Sequence, residues 1–116
     1  MIKIKRAYEP VDSENDGYRI LVDRIWPRGI KKQNAEINIW LKDAAPTAYL
    51  RKWFGHEPEK WEEFKKRYKS ELEEKMNLIN DIKKMENEYG TITLVYGSKD
   101  ESHNQAVVLK EVLNNS

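Results

Sequence analysis

The amino-acid sequence predicts a single α/β domain, 1–116, with a mainly parallel central sheet of about four strands flanked by helices. Its 116 residues suffice for one compact domain but are too few for two ordinary ones. Two unbroken apolar runs, within 18–25 and 91–97, are typical of strands covered on both faces. Helical spacing between and after these runs favours parallel strands joined by right-handed crossovers.

The strands are predicted in four places. Residues 2–8 alternate apolar and basic side chains, which indicates a half-exposed strand, and a polar loop over 9–17 follows. The runs YRILVDRI, 18–25, and TITLVYG, 91–97, are the two buried strands. Segment 37–46 fits a short strand because its apolar residues alternate, although one helical turn fits it too.

The helices are predicted from caps and from apolar side chains at helical spacing. A short helix over 47–54 is capped by Thr47, and a long helical region begins near Pro58 and ends at Gly90. About 30 residues is long for a small domain, so a break is expected between Glu74 and Asn77. A terminal helix covers 103–113. The stripe expected to be buried on the long region begins with Trp61, Phe64, Tyr68 and Leu72.

Composition excludes several classes of function. The chain has no cysteine, so disulfides, thiolate nucleophiles and zinc–thiolate sites are ruled out. The net charge is +1, which gives no global attraction to nucleic acid or acidic membranes. No apolar run approaches the roughly 18 residues of a membrane span, and the N-terminal residues do not resemble a signal peptide. A cytoplasmic protein is therefore expected, with no membrane partner, no metal and no cofactor.

The loops after the two buried strands carry the candidate site. The first places Arg24, Trp26 and Arg28 together, and the second, GSKDESHN, opens the terminal helix. Parallel strands would bring both loops to one edge of the sheet, where ligands bind in such folds. Two guanidinium forks and a helix N-terminus favour phosphate or carboxylate. The predicted ligand-binding residues are Arg24, Trp26, Arg28, Gly97, Ser98, Lys99 and Asn104.

Each candidate has a structural alternative. The arginines could instead pair with Asp23, Asp43 or Asp100, and the tryptophans, with Trp26 as the best exception, are typical core residues. His103 stands at the mouth of the predicted site and is the candidate general acid or base. The other histidine, His56, is interpreted as a cap for the helix at Pro58.

Three stretches together resemble the uncharacterised DUF488 family, specifically its short YeaO-like branch. They are DGYRILVDRIWPRGIKK, WLKDAAPTAYLRKWFGHEP and VYGSKDESHNQAVVL. The resemblance implies an α/β domain and supplies no established reaction. The strand followed by Asp-Arg, and the later strand, loop and helix, are also similar in outline to rhodanese-like domains. Longer DUF488 relatives carry a cysteine after the later strand and a Cys-His-Arg triplet. Tyr96 and Ser102-His103-Asn104 stand near those positions, so cysteine chemistry is excluded here.

The predicted function is binding of a small anionic ligand at an arginine-lined site, with hydrolysis or group transfer as the natural reaction class if the protein is an enzyme. The alternative is a non-enzymatic binding or regulatory module that acts on nucleic acid or a protein. Nucleic acid is the less favoured partner because the basic residues of the long helical region alternate with glutamates. The sequence leaves the choice between enzyme and binding protein, and the oligomeric state, open.

Overall fold

The computed structural model describes all 116 residues and has a four-stranded parallel sheet at its centre. The strands are β1 (Ile2–Arg6), β2 (Tyr18–Leu21), β3 (Ile39–Trp40) and β4 (Ile92–Tyr96), in the order β1-β4-β2-β3. Every residue of β4 is buried, since it is paired on both sides and covered on both faces. The α/β fold with a parallel sheet is confirmed. The radius of gyration, 13.4 Å, equals that of a single domain of this length.

Five α-helices connect or follow the strands. They are α1 (Lys32–Ala35), α2 (Ala48–Phe54), α3 (Trp61–Glu73), α4 (Met76–Tyr89) and α5 (Gln105–Asn114), with 3-10 turns at Lys42–Ala44 and Pro58–Lys60. The predicted break in the long helical region is confirmed, because α3 ends at Glu73 and α4 begins at Met76. None of the helices combines the length and the apolar composition needed to cross a bilayer.

The two faces of the sheet are covered differently. Apolar side chains of β2 and β4, such as Ile20 and Leu94, join the main core with the buried residues of α3, α4 and α5. The side chains that alternate with them, such as Arg19 and Thr93, lie beneath the loops over 9–17 and 26–37. One face is therefore closed by three long helices and the other by loops. This leaves the loops at the carboxyl ends of the strands to shape a cavity.

Helix caps follow the sequence closely. The Thr47 hydroxyl accepts a hydrogen bond from the backbone of Leu50 at 3.2 Å, as predicted, and Gly90 ends α4 with a positive φ of 80°. The terminal helix starts two residues later than predicted, because Asn104 is its N-cap and accepts from the backbone of Val107. The cap interpretation of His56 is wrong. Glu57 occupies the N-cap position before Pro58 without a side-chain bond.

Segment 37–46 contains both structures that the pattern allowed. Ile39–Trp40 pairs with β2, and Lys42–Ala44 forms one 3-10 turn. Strand β2 itself is shorter than the apolar run, because the chain turns away from the sheet after Val22. Of the predicted stripe, Phe64, Tyr68 and Leu72 are buried, whereas Trp61 is partly exposed.

Candidate functional site

A cavity of about 300 Å³ opens at the carboxyl ends of β2 and β4. It lies between the loop after β2, the loop after β4 and helix α2. Its lining combines arginines and histidines with a single carboxylate and an apolar base. The lining residues are Tyr8, Asp23, Arg24, Ile25, Trp26, Pro27, Arg28, Ala45, Pro46, Arg51, Phe54, His56, Phe64, Gly97, Ser98, His103, Asn104 and Gln105.

The structure brings most of the predicted site residues to this cavity. The loop after β2 contributes Arg24, Trp26 and Arg28, and the loop after β4 contributes Gly97, Ser98, His103 and Asn104. Lys99 is exposed and does not line the cavity. The two loops therefore meet on one side of the sheet, as parallel neighbouring strands require.

The arginines of the first loop differ in how they are held. The Nε and Nη2 atoms of Arg24 donate to the backbone oxygens of Pro46 and Ala45, at 3.2 and 3.4 Å. Arg24 thus fixes the wall of the cavity through carbonyl groups and pairs with none of the three aspartates considered from the sequence. Arg28 is exposed, and its guanidinium group makes no hydrogen bond or ion pair; only its carbonyl oxygen is used, by the hydroxyl of Tyr8.

Helix α2 and the turn that follows it add two side chains that the sequence did not place in the site. Arg51 and His56 both line the cavity, and Arg51, like Arg28, has no protein partner for its guanidinium group. His56 has a φ of 58°, so the chain turns sharply there after Gly55. The predicted strand within 37–46 could have pointed to these residues. Strand β3 (Ile39–Trp40) is parallel to β2, so the chain that follows it also begins at the ligand-binding edge of the sheet.

Asp23 is the carboxylate of the cavity and lies where the two loops touch. Its Oδ2 accepts from the backbone N–H of Gly97 at 2.9 Å, and its Oδ1 accepts from the side-chain amide of Gln105. A Cβ atom on residue 97 would lie 2.8 Å from Asp23 Oδ2, so a larger residue there would require the carboxylate to move. Asp23 was considered from the sequence only as a partner for arginine.

Burial raises the pKa of Asp23 from 3.8 to about 6. The hydrogen bonds from Gly97 and Gln105 and the charge of Arg51 oppose this rise without cancelling it. No cation lies within ion-pair distance of the carboxylate, since its direct partners are neutral amide groups. The carboxylate is therefore less stable in its charged form than an ordinary surface aspartate.

His103 is oriented by Asp100. Its Nδ1 lies 2.9 Å from Asp100 Oδ2, while Asp100 Oδ1 accepts from the backbone N–H groups of Ser102 and His103. These hydrogen bonds, led by that of Ser102, hold the pKa of Asp100 below its usual value. The imidazole also packs edge-on against Trp61, with ring centroids 5.2 Å apart, so this partly buried indole supports the histidine ring. With Nδ1 engaged, Nε2 is the nitrogen left for a ligand.

The remaining predicted residues order the loops. Both ends of the Asn104 side chain are in use, as cap of α5 and as donor to the carbonyl of Asp100, and the residue is only 2% exposed. The indole of Trp26 donates to the carbonyl of Ile30 and packs edge-on against Trp40. No group of three His, Asp or Glu side chains is arranged to hold a metal ion.

The fold and this cavity define a small parallel α/β protein with an arginine- and histidine-lined pocket at the strand ends. The chain belongs to the family described as the inactive DUF488-N3 subclade, whose model matches residues 1–116. It is 40% identical over 115 residues to the uncharacterised protein YeaO of Escherichia coli, covering 97% of this chain and 96% of that protein. It is 39% identical over 113 residues to an uncharacterised protein of Mycobacterium tuberculosis, covering 97% and 93% of the two chains. No solved structure matches significantly.

Proposed function

We propose that this protein binds a small anionic ligand, bearing phosphate or carboxylate, in the cavity between the loops after β2 and β4. The observation that carries the proposal is the pair Arg28 and Arg51, two guanidinium groups without a protein partner that line one cavity. Arginine suits such ligands because its planar fork donates two parallel hydrogen bonds. Ser98 and the imidazole of His103 add further polar contacts, while Arg24, Trp26, Gly97 and Asn104 hold the walls in place.

Binding without turnover is the form of the proposal that we favour. The family is described as inactive, and the chain has no cysteine to act as a nucleophile. Helix α3 does not favour nucleic acid as the partner. Its basic residues Lys65 and Arg67 form ion pairs with glutamates one turn away, which is typical of a solvated helix face.

Phosphate should raise the melting temperature of the wild-type protein more than chloride at equal ionic strength. At a phosphate concentration ten times Kd, mass action adds about 1.4 kcal/mol to the free energy of unfolding. For a domain near this size that is a rise of roughly 4–8 °C. Thermal unfolding followed by circular dichroism measures it.

The variants Arg28→Gln and Arg51→Gln should each lose most of this excess. Lys66→Gln is the matched control, because Lys66 is an exposed cation without an ion pair that does not line the cavity. The control should keep the full phosphate effect. An equal loss in all three variants would mean that phosphate acts on overall charge, and the proposed site would be abandoned.

Catalysis by His103 is the second candidate, and the Asp100–His103 pair is the observation that favours it. A carboxylate on Nδ1 leaves Nε2 able to take a proton, as in general-base catalysis. Under this candidate the protein would hydrolyse 4-nitrophenyl phosphate, and His103→Ala would slow it by about 10²–10⁴-fold. The binding proposal expects no turnover by either form.

A further inference from the structure

The cavity holds one negative charge among its cations. Asp23 is the sole carboxylate in a lining that includes three arginines and two histidines. None of the cations forms an ion pair with it, and its partners are the backbone of Gly97 and the amide of Gln105. A bare anion that enters the cavity is attracted by Arg28 and Arg51 but repelled by Asp23.

The carboxylate retains acceptor capacity. Two carboxylate oxygens offer about four acceptor positions, and the protein fills one on each oxygen. A donor group on a ligand could take a remaining position. The group that complements this site therefore carries O–H or N–H donors beside its negative charge.

Linking the two loops does not require a charged residue at position 23. An asparagine of the same shape could accept from Gly97 and donate to the side-chain oxygen of Gln105 after its amide turns over. The charged form is costly at neutral pH, since burial raises the pKa of Asp23 to about 6. A hydrogen bond to a charged acceptor is about twice as strong as one to a neutral acceptor. A charged Asp23 would therefore bind a donor group of the ligand more strongly than an asparagine would.

We infer that the ligand is a phosphorylated sugar or polyol, whose phosphate meets Arg28 and Arg51 and whose hydroxyl groups donate to Asp23. This inference rests on the proposed anion site. A hydroxyl donor fits better than an ammonium donor, because the three arginines repel a second cation. The cavity of about 300 Å³ is at the small end of ligand sites, which suits a phosphorylated triose or pentose rather than a dinucleotide.

Three phosphate esters of similar size test this inference by isothermal titration calorimetry on the wild-type protein. Glycerol 3-phosphate has two hydroxyl groups, propyl phosphate has none, and phosphoethanolamine carries an ammonium group. We expect glycerol 3-phosphate to bind at least about tenfold more tightly than either of the others, which corresponds to one good hydrogen bond to a charged acceptor.

The three esters distinguish failure of the anion site from failure of the sugar-phosphate inference. If no ester binds, the proposed anion site itself fails. If glycerol 3-phosphate and propyl phosphate bind equally, the anion site stands and the sugar-phosphate inference is wrong. Tightest binding of phosphoethanolamine would also overturn it, in favour of a zwitterionic ligand.

The variant Asp23→Asn tests whether Asp23 causes the preference for glycerol 3-phosphate over propyl phosphate. It should reduce the ratio between the two esters to about threefold or less, while propyl phosphate binds as well as before or better, because the repulsion is gone. Asp43→Asn makes the same chemical change at an exposed residue that does not line the cavity and should keep the wild-type ratio. A ratio unchanged in Asp23→Asn, or an equal loss of both esters, would contradict the role given to Asp23. The wild-type comparison remains decisive if the variant does not fold.

Discussion

Replacing Asp16 with alanine should lower the free energy of unfolding by about 3–5 kcal/mol. The carboxylate of Asp16 lies 2.6 Å from Nη1 of Arg19, a residue only 2% exposed, and 3.1 Å from Nζ of Lys5. Nη2 of Arg19 has no partner already, so the substitution would leave most of a buried guanidinium group unpaired. Breaking a buried ion pair on one side is costly because the remaining charge is neither solvated nor neutralised.

Glu14→Ala is the control for Asp16→Ala, since Glu14 is an exposed residue of the same loop without a side-chain partner. It should change stability by no more than about 0.5 kcal/mol. Urea unfolding at pH 7 measures both variants. Similar small effects would show that water reaches Arg19 and that the loop over 9–17 is not a lid on the sheet.

The pH dependence of the Asp16 contribution has a definite sign. Burial acts to raise the pKa of Asp16, but the N–H of Asp12 and the cations Lys5 and Arg19 together lower it. The folded protein therefore binds its proton less readily than the unfolded chain does. The contribution is complete above the unfolded pKa, about 3.9, and is lost as pH falls through the folded value. Asp16→Ala should make the protein less sensitive to acid over that range.

Replacing Asp23 with asparagine should have the opposite effect and stabilise the protein at pH 7.5 by about 1–3 kcal/mol. The pKa of Asp23 is raised from 3.8 to about 6. Between these two pH values, the folded protein keeps a proton on Asp23 that the unfolded chain has already released. Wild-type stability therefore falls as pH rises from about 4 to 6. Asparagine does not titrate, and the gain should vanish near pH 4.

Asp43→Asn is again the control. Its stability relative to the wild type should not rise between pH 4 and pH 7.5. Urea unfolding at pH 4, 5, 6 and 7.5 gives the profile for both variants. Asp23→Asn would contradict the linkage if it were less stable than wild type at pH 7.5. It would also do so if its advantage grew toward low pH.

The location of the site was predictable, whereas its carboxylate was not. Apolar runs at 18–25 and 91–97 predicted parallel buried strands, and that topology alone brings their following loops together. The role of Asp23 depends on Gly97 and Gln105, which are 74 and 82 residues away in sequence. No local pattern reports a contact at that separation.

Two further differences between the predicted site and the observed cavity concern Arg51 and Lys99. Arg51 reaches the cavity because of how α2 packs, and the sequence predicted the helix without its orientation. Lys99 was expected in the site but is exposed and does not line the cavity. In the same loop, Asp100 binds the backbone N–H and the imidazole of His103. The outline similarity to rhodanese-like domains stays a prediction.

Anion binding in the cavity is tested most directly by a titration of ¹⁵N-labelled protein with phosphate, followed by two-dimensional NMR. The proposed function predicts saturable shifts at the amides of Gly97, Ser98 and His103 and at the Arg28 and Arg51 side chains, with Lys66 and its neighbours unchanged. Shifts that do not saturate, or that spread over the basic residues of α3 and leave the cavity unaffected, would contradict it.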